Sequence, residues 1–358
     1  MTEPFQPCLR PALIGSLPLE DHQEATRLVL ASVPEVPLWA QLPLYREEGM
    51  VAQFLPGFPG INQTGDKLFI NTRSDSFDDE VLGFYEDYLA VSENGEDLLS
   101  SRFALGRDTA AGFFVFMDQA ASAADSLRAV KGQITGPFTF ATSVVDADDR
   151  AVFYDDQLRD IAVKLIAMKA RWQARRLAEL GKPVMIFFDE PGLTAFGSSA
   201  FISISREEVT ACFEEVVQAV QAEGALAGVH VCANAEWSII LDSPADIVSF
   251  DAYSFFDKFM LYADEIIQFM NQGKILAWGL VPTSDAETIN RETTDSLVEQ
   301  WEEQCRQIEG LGIDRAVIMN QSLITPSCGT GSLDLDAARR VLDLTADVSA
   351  RLRQQYYR

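Results

Sequence analysis

The sequence predicts one α/β domain spanning residues 1–358, a TIM (β/α)8 barrel with a long insertion after the second strand, and three observations predict it. Eight short, continuously apolar segments recur along the chain, as buried parallel strands do. Segments with helical spacing of apolar residues alternate with them, as right-handed βα crossovers require. No glycine-rich dinucleotide or phosphate-loop fingerprint favours the rival, a doubly wound open sheet.

Residues 11–17 (PALIGSL) form the first expected strand, ending in Ile14-Gly15-Ser16. There Gly15 allows a tight backbone, and Ser16 offers a hydroxyl and an N–H. A helix is expected over 21–31, stopped by Pro34 and Pro37, and a second strand over 38–42 (LWAQL). Residues 43–125 are interrupted by Gly49, Pro56, Gly57, Pro59 and Gly60. An excursion of this length between barrel elements is expected to be a lid or binding loop. It holds an expected strand at 67–71, acidic helical turns at 78–89, a turn at 92–96 and a further strand at 113–117. A helix at 120–130 and a third strand at 132–135 follow, the strand running into Gly136-Pro137-Phe138-Thr139.

Residues 155–180 place Leu158, Ile161, Leu165, Met168, Trp172 and Leu177 at helical spacing, and Gly181 and Pro183 end that helix. The fourth strand, 184–188, delivers Asp189-Glu190-Pro191. Ser205 and Glu208 form a capping box for a helix that turns Val209, Phe213, Val216 and Val220 inward. Residues 227–231 make the fifth strand, 246–251 the sixth and 275–281 the seventh, which ends in Pro282-Thr283. After a helix over 293–311, the eighth strand is expected at 315–321, leading into Thr325-Pro326-Ser327-Cys328-Gly329. A helix over 335–355 closes the chain.

At 47% hydrophobic and 23% charged, the composition is that of an ordinary globular chain. No apolar stretch reaches the roughly 18–20 residues of a membrane span. Residues 1–10 show no charged-then-apolar leader, so a cytoplasmic protein without membrane contact is expected. A net charge of −26 excludes a phosphate-backbone partner and implies a solvated acidic surface. The five cysteines, Cys8, Cys212, Cys232, Cys305 and Cys328, are odd in number and scattered, which is no disulfide framework. Of the two histidines, His22 lies in a polar run and is expected at the surface.

In such a barrel the active site gathers at the carboxyl ends of the strands. The polar residues here fall mostly at those ends: Ser16, Gln41, Thr139, Asp189 and Glu190, then His230, Cys232, Asp251, Thr283 and Cys328. His230 and Cys232 are two apart and share a strand face. Alone, this pair equally describes a buried histidine beside a buried cysteine. Cys328 lies far along the chain, yet strands five and eight open onto one mouth. One imidazole and two thiolates are a sound donor set for zinc. Asp251 is either a fourth ligand or the N-cap of the next helix. Cys8, Cys212 and Cys305 are expected to be ordinary cysteines.

A zinc held by three side chains, with one exchangeable position, binds a substrate thiol, lowers its pKa and prepares it to attack a methyl group. Asp189 and Glu190 supply negative charge for an ammonium, or else cap the strand end and order the next loop. Backbone N–H groups near Gly15 and Ser16 suit a carboxylate. An amino-acid thiol such as homocysteine satisfies both ends.

Taken together, these motifs resemble the catalytic barrel of cobalamin-independent methionine synthase, in the superfamily that includes uroporphyrinogen decarboxylase and corrinoid-dependent thiol methyltransferases. Ile14-Gly15-Ser16-Leu17-Pro18 is similar to the first-strand motif whose Ile and Ser contact the homocysteine carboxylate. Gly136-Pro137 with Thr139 resembles the third-strand motif, and Asp189-Glu190-Pro191 the motif whose aspartate binds the amine. His230 and Cys232 match the zinc ligands of the H-x-C motif, and Cys328-Gly329 the late D-C-G motif, with Ser327 in place of the aspartate. The resemblance therefore implies substrate contacts at Ile14, Ser16, Thr139 and Asp189, a supporting role for Glu190, and zinc on His230, Cys232 and Cys328.

Several positions depart from the family pattern. The glutamate that the family uses as a zinc ligand falls at Asp251, one methylene shorter. The second-strand glutamate, a further amine contact, has no clear counterpart between Gln41 and Glu48. The segment 39–45 (WAQLPLY) is similar to the decarboxylase branch, but that branch's arginine-rich substrate grip is missing. The resemblance implies a chain that begins at the catalytic barrel, and the N-terminal half that helps full-length members bind folate is expected to be absent. The expected donor is a methylated corrinoid, free or protein-bound, or a folate. The expected activity is zinc-dependent methyl transfer to a thiol, homocysteine first. The alternatives are a corrinoid-protein:coenzyme M type of transfer and a non-catalytic corrinoid-protein partner.

Overall fold

A computed structural model describes residues 5–65 and 67–357. Residues 1–4, where the N-terminal reading of 1–10 starts, lie outside the described residues. Two short strands, β1 (Ile61–Thr64) and β2 (Lys67–Ile70), pair antiparallel as a hairpin. The other six form one parallel sheet in chain order: β3 (Val130–Thr135), β4 (Val184–Asp189), β5 (Leu226–Val231), β6 (Ile247–Phe250), β7 (Ile275–Val281) and β8 (Ser322–Pro326). Their near-complete burial explains why the sequence shows continuous apolar runs rather than alternation.

The two edges of this sheet carry single parallel bridges to residues 11–16 and 38–41. Pro11 bridges Ile324 of β8, Ser16 bridges Gln41, and Leu38 bridges Lys131 of β3. Backbone bonds accompany them: Ala12 donates to the Ile324 carbonyl at 2.9 Å, Gln41 to Gly15 at 3.1 Å and Lys131 to Pro37 at 2.9 Å. The first two expected strands are therefore bridged segments rather than regular strands. Pro11 and Pro37 bring no N–H, so a continuous ladder cannot form there.

Within the sheet, side chains alternate between two environments. In β4, Val184, Ile186 and Phe188 join the main core, where the helix Asp156–Ala178 packs. Met185 and Phe187 join a second cluster with Ala12, Val36, Ala129, Ile247, Ala277 and Leu323. By alternation, Asp189, His230, Ser249 and Thr135 continue that second face toward the carboxyl ends. The face is apolar at the amino ends, apart from Lys131 and Gln133 of β3, and polar at the carboxyl ends, which gathers the polar residues there. Gly228 faces Phe187, and a β-carbon there would meet its ring at 2.7 Å.

Three expected elements are different. Residues 113–117 lie in a helix, Ala111–Ala120, which buries Gly112, Phe113, Phe116 and Ala120 along one stripe. Five consecutive apolar residues do not by themselves distinguish strand from buried helix. The helix expected at 120–130 is only a 3-10 turn, Ala121–Ala123, before β3. Residues 315–321 are not the eighth strand. Asp314 accepts the Ala316 N–H and caps a helix, Arg315–Asn320, that buries only Ile318. The strand follows at Ser322–Pro326, all of it buried.

The capping box at Ser205 and Glu208 forms as expected. The helix Leu335–Tyr356 closes the chain. The segment 43–125 contains the hairpin and the helices Phe77–Ser92 and Ala111–Ala120. No helix among the described residues is long and apolar enough to cross a membrane.

Candidate metal and thiol site

Three side chains from two strand ends meet at the carboxyl edge of the sheet. His230 is on β5, Cys232 follows that strand by one residue, and Cys328 follows β8 by two. One ligand atom from each lies within 4.8 Å of the others, and this is the one such group of ligating side chains among the described residues. Thr283 and Ser327 share a hydroxyl hydrogen bond of 3.0 Å, and the Ser327 N–H donates to Val281 at 2.8 Å. These bonds hold the Cys328 loop on β7. Gly279 permits the approach, since a β-carbon there would lie 2.8 Å from the Ser327 Cα.

His230 is 3% exposed. Its Nδ1 is 2.9 Å from the Ser249 hydroxyl, which sits directly across the β5–β6 register. Its Nε2 is buried and has no hydrogen-bond partner. An orphaned imidazole nitrogen beside two thiols is what a zinc ligand set requires, with the second nitrogen fixed from behind. Cys232 is held well below the ordinary thiol range, chiefly by the hydrogen bond from Cys328 and then by His230. The neighbouring Cys232 sulfur and burial push Cys328 upward.

The group opens on a cavity of about 290 Å³, lined also by Ile14, Ser16, Gln41, Glu48, Thr135 and Asp189. Asp189 Oδ1 is buried without a hydrogen-bond partner. Burial raises its pKa to about 6, opposed by the His230 and Lys131 charges and assisted by that of Cys232. Lys131 is wholly buried and donates to the Ile14 carbonyl at 2.5 Å, fixing the turn that carries Ser16. The Ser16 carbonyl accepts the Thr330 N–H at 3.0 Å, which ties that turn to the loop after Cys328.

The other expected residues take other places. Glu190 turns away from the cavity. Its carboxylate accepts the N–H groups of Phe138 (2.9 Å) and Thr139 (2.8 Å) and the Thr139 hydroxyl (2.6 Å). It thus orders the N-terminus of the helix Pro137–Ser143, and burial still raises its pKa to about 7. Thr139 also accepts the Gly192 N–H at 2.9 Å and is not among the cavity-lining residues. Its hydroxyl is committed to loop structure rather than to a ligand, and Thr135 takes the lining position.

Asp251 lies outside the three-residue ligand group and caps the helix Ala252–Phe259 by accepting the Ser254 N–H at 2.8 Å. Cys212 and Cys305 are buried on helices, and burial pushes both thiols up to about 12. All five cysteines are free. His22 is half-buried rather than fully at the surface, its side chain 16% exposed. Its Nε2 lies 2.6 Å from Glu48 Oε1. Glu48 closes the stretch in which the sequence showed no clear counterpart of the second-strand glutamate, and Ser249 went unnoticed. The one sits in an irregular acidic turn, while the other shares a strand face with Asp251, the only signal that pointed to it.

No family model matches the chain, and no curated protein matches it. Solved structures do. A B12-independent methionine synthase from Shewanella sp. W3-18-1, in complex with selenomethionine, is similar over 98% of this chain and 99% of that one, at 15% identity and a TM-score of 0.56. A methyltransferase from Methanosarcina mazei is similar over 94% of this chain and 86% of that one, at 14% identity and a TM-score of 0.53. These likenesses show that the chain has a methionine-synthase-like fold.

Proposed function

We propose that the chain is a zinc-dependent methyltransferase whose acceptor is an amino-acid thiol of the homocysteine class. One observation carries this reading: the unpartnered Nε2 of His230 and the sulfurs of Cys232 and Cys328 converge on a cavity that also holds an unpartnered Asp189 oxygen. We take the bridged segments 11–16 and 38–41 as the first two staves of an eight-stave barrel. On this view, residues 43–125 are an insertion that supplies Glu48 and Met50 to the cavity wall.

His230, Cys232 and Cys328 would hold the metal, with Ser249 fixing the ring of His230. A bound zinc supplies positive charge that lowers the pKa of an acceptor thiol. Asp189 and Glu48 receive the ammonium of the acceptor, and the turn at Gly15 and Ser16 receives its carboxylate. The acceptor sulfur bonds the methyl carbon as the methyl–donor bond breaks. That electron pair stays with the donor, and the thiol proton goes to solvent. Asp251 is a further candidate ligand through its second carboxylate oxygen. A coenzyme M type of acceptor, lacking an ammonium, would face two carboxylates without counter-charge, so the amino-acid thiol fits better.

The test is methyl transfer from methylcobalamin and from a methylated folate to a panel of thiols, beside zinc analysis. The expected result is transfer to homocysteine above other thiols and about one zinc per chain, lost in Cys328→Ser. A fully folded, metal-free chain without transfer would instead favour the non-catalytic partner.

A further inference from the structure

The reading above leaves the second histidine without a role, and its surroundings supply one. His22 is the first residue of the helix His22–Ser32. Its partner Glu48 is 4% exposed and lines the cavity. While His22 Nε2 bonds one Glu48 oxygen at 2.6 Å, the other accepts the Leu42 N–H at 2.8 Å. Two partners on two oxygens fix the plane of the carboxylate, and each oxygen keeps a second lone pair for a ligand.

The imidazole is held as firmly. The Tyr45 ring stacks on it with centroids 5.4 Å apart and planes 13° from parallel. The Tyr45 hydroxyl is anchored in turn on the Glu20 carbonyl at 2.6 Å. Gly112 leaves room beside the ring, since a β-carbon there would come within 3.2 Å of His22 Cδ2. Three separate segments therefore converge to keep one donor on one cavity carboxylate. A solvent-exposed ion pair has no such support and is worth little. A carboxylate this buried stays useful only while donors replace its lost water.

We propose that His22 is a positioning residue that keeps Glu48 aimed into the cavity as an ammonium acceptor, and so selects acceptors with an α-amino group over those without one. The inference rests on the amino-acid-thiol reading. Without His22, Glu48 Oε1 loses its partner and the carboxylate is free to turn. An amino-bearing ligand then loses an acceptor. A ligand of the same length without the amino group loses nothing.

Thermal-shift titration of the full chain tests this with two thioethers: methionine, and 4-(methylthio)butanoate, which lacks the amino group. In His22→Ala, the apparent affinity for methionine is expected to fall about tenfold, the scale of one charge-assisted hydrogen bond. Affinity for the desamino compound is expected to move less than about twofold. His22→Gln keeps an N–H donor and should recover most of the methionine affinity. Equal losses for both compounds would assign His22 to general structure and overturn the proposal, as would an unchanged methionine affinity in His22→Ala. If the unaltered chain gains no stability from methionine, the amino-acid-thiol reading fails and takes this inference with it.

Discussion

At the scale of single residues, the site depends on which atoms lack partners. In a folded interior nearly every buried polar atom is hydrogen-bonded, so an exception asks for an explanation. His230 Nε2 and Asp189 Oδ1 are two such exceptions, and both belong to residues that line one cavity. The hydroxyl of Ser249 occupies His230 Nδ1 and so leaves Nε2 as the nitrogen open to a ligand. Ser249→Ala should therefore weaken zinc binding about 10- to 100-fold, the usual cost of losing the group behind a ligand. Competition against a chelator of known affinity measures this, and unchanged zinc affinity would remove Ser249 from the account. His230, Cys232 and Cys328 were legible in the sequence because strand alternation and the gathering of polar residues at carboxyl strand ends turn spacing into geometry. Glu48 was not, because one of two adjacent glutamates in a single 3-10 turn carries no periodic signal.

At the scale of elements, the Asp189-Glu190 pair shows how adjacent carboxylates at a strand end part company. Alternation leaves Asp189 on the cavity wall and sends Glu190 under the helix Pro137–Ser143. The approach is close: a β-carbon on Gly136 would lie 2.2 Å from the Glu190 carboxyl. Burial raises the Glu190 pKa from 4.5 to about 7 despite three hydrogen bonds that favour the charged form. The folded chain thus holds this proton more tightly than the unfolded chain. Its stabilising contribution is complete below the unfolded value and is lost as the pH rises through about 7. Urea unfolding should show the native chain gaining stability from pH 7.5 to pH 5, by about 2 kcal/mol from this group. Glu190→Gln should flatten that gain, and an identical slope in the variant would contradict it. The sequence misplaced β8 because the run at 315–321 is apolar enough for a strand, while the Asp314 cap makes its first turns helical.

At the scale of the whole molecule, five of the six parallel strands, β3 to β7, were legible because burial on both faces makes them continuously apolar. The segments 11–16 and 38–41 were harder to see as they are, since prolines reduce them to single bridges that join residues 11–16 to β8 and residues 38–41 to β3. That arrangement brings Ser16, Cys232 and Cys328 to one cavity from chain positions more than 300 residues apart at the extremes. The methionine-synthase-like fold supplies the geometry, but activity has to be argued from the site itself. Zinc K-edge X-ray absorption on the purified full-length chain tests the central claim most directly. The account predicts two sulfur ligands at about 2.3 Å and at least one nitrogen at about 2.0–2.1 Å. Adding homocysteine should contribute a third sulfur at about the same 2.3 Å. A shell of oxygen ligands alone, or a sulfur count that homocysteine does not change, would contradict it.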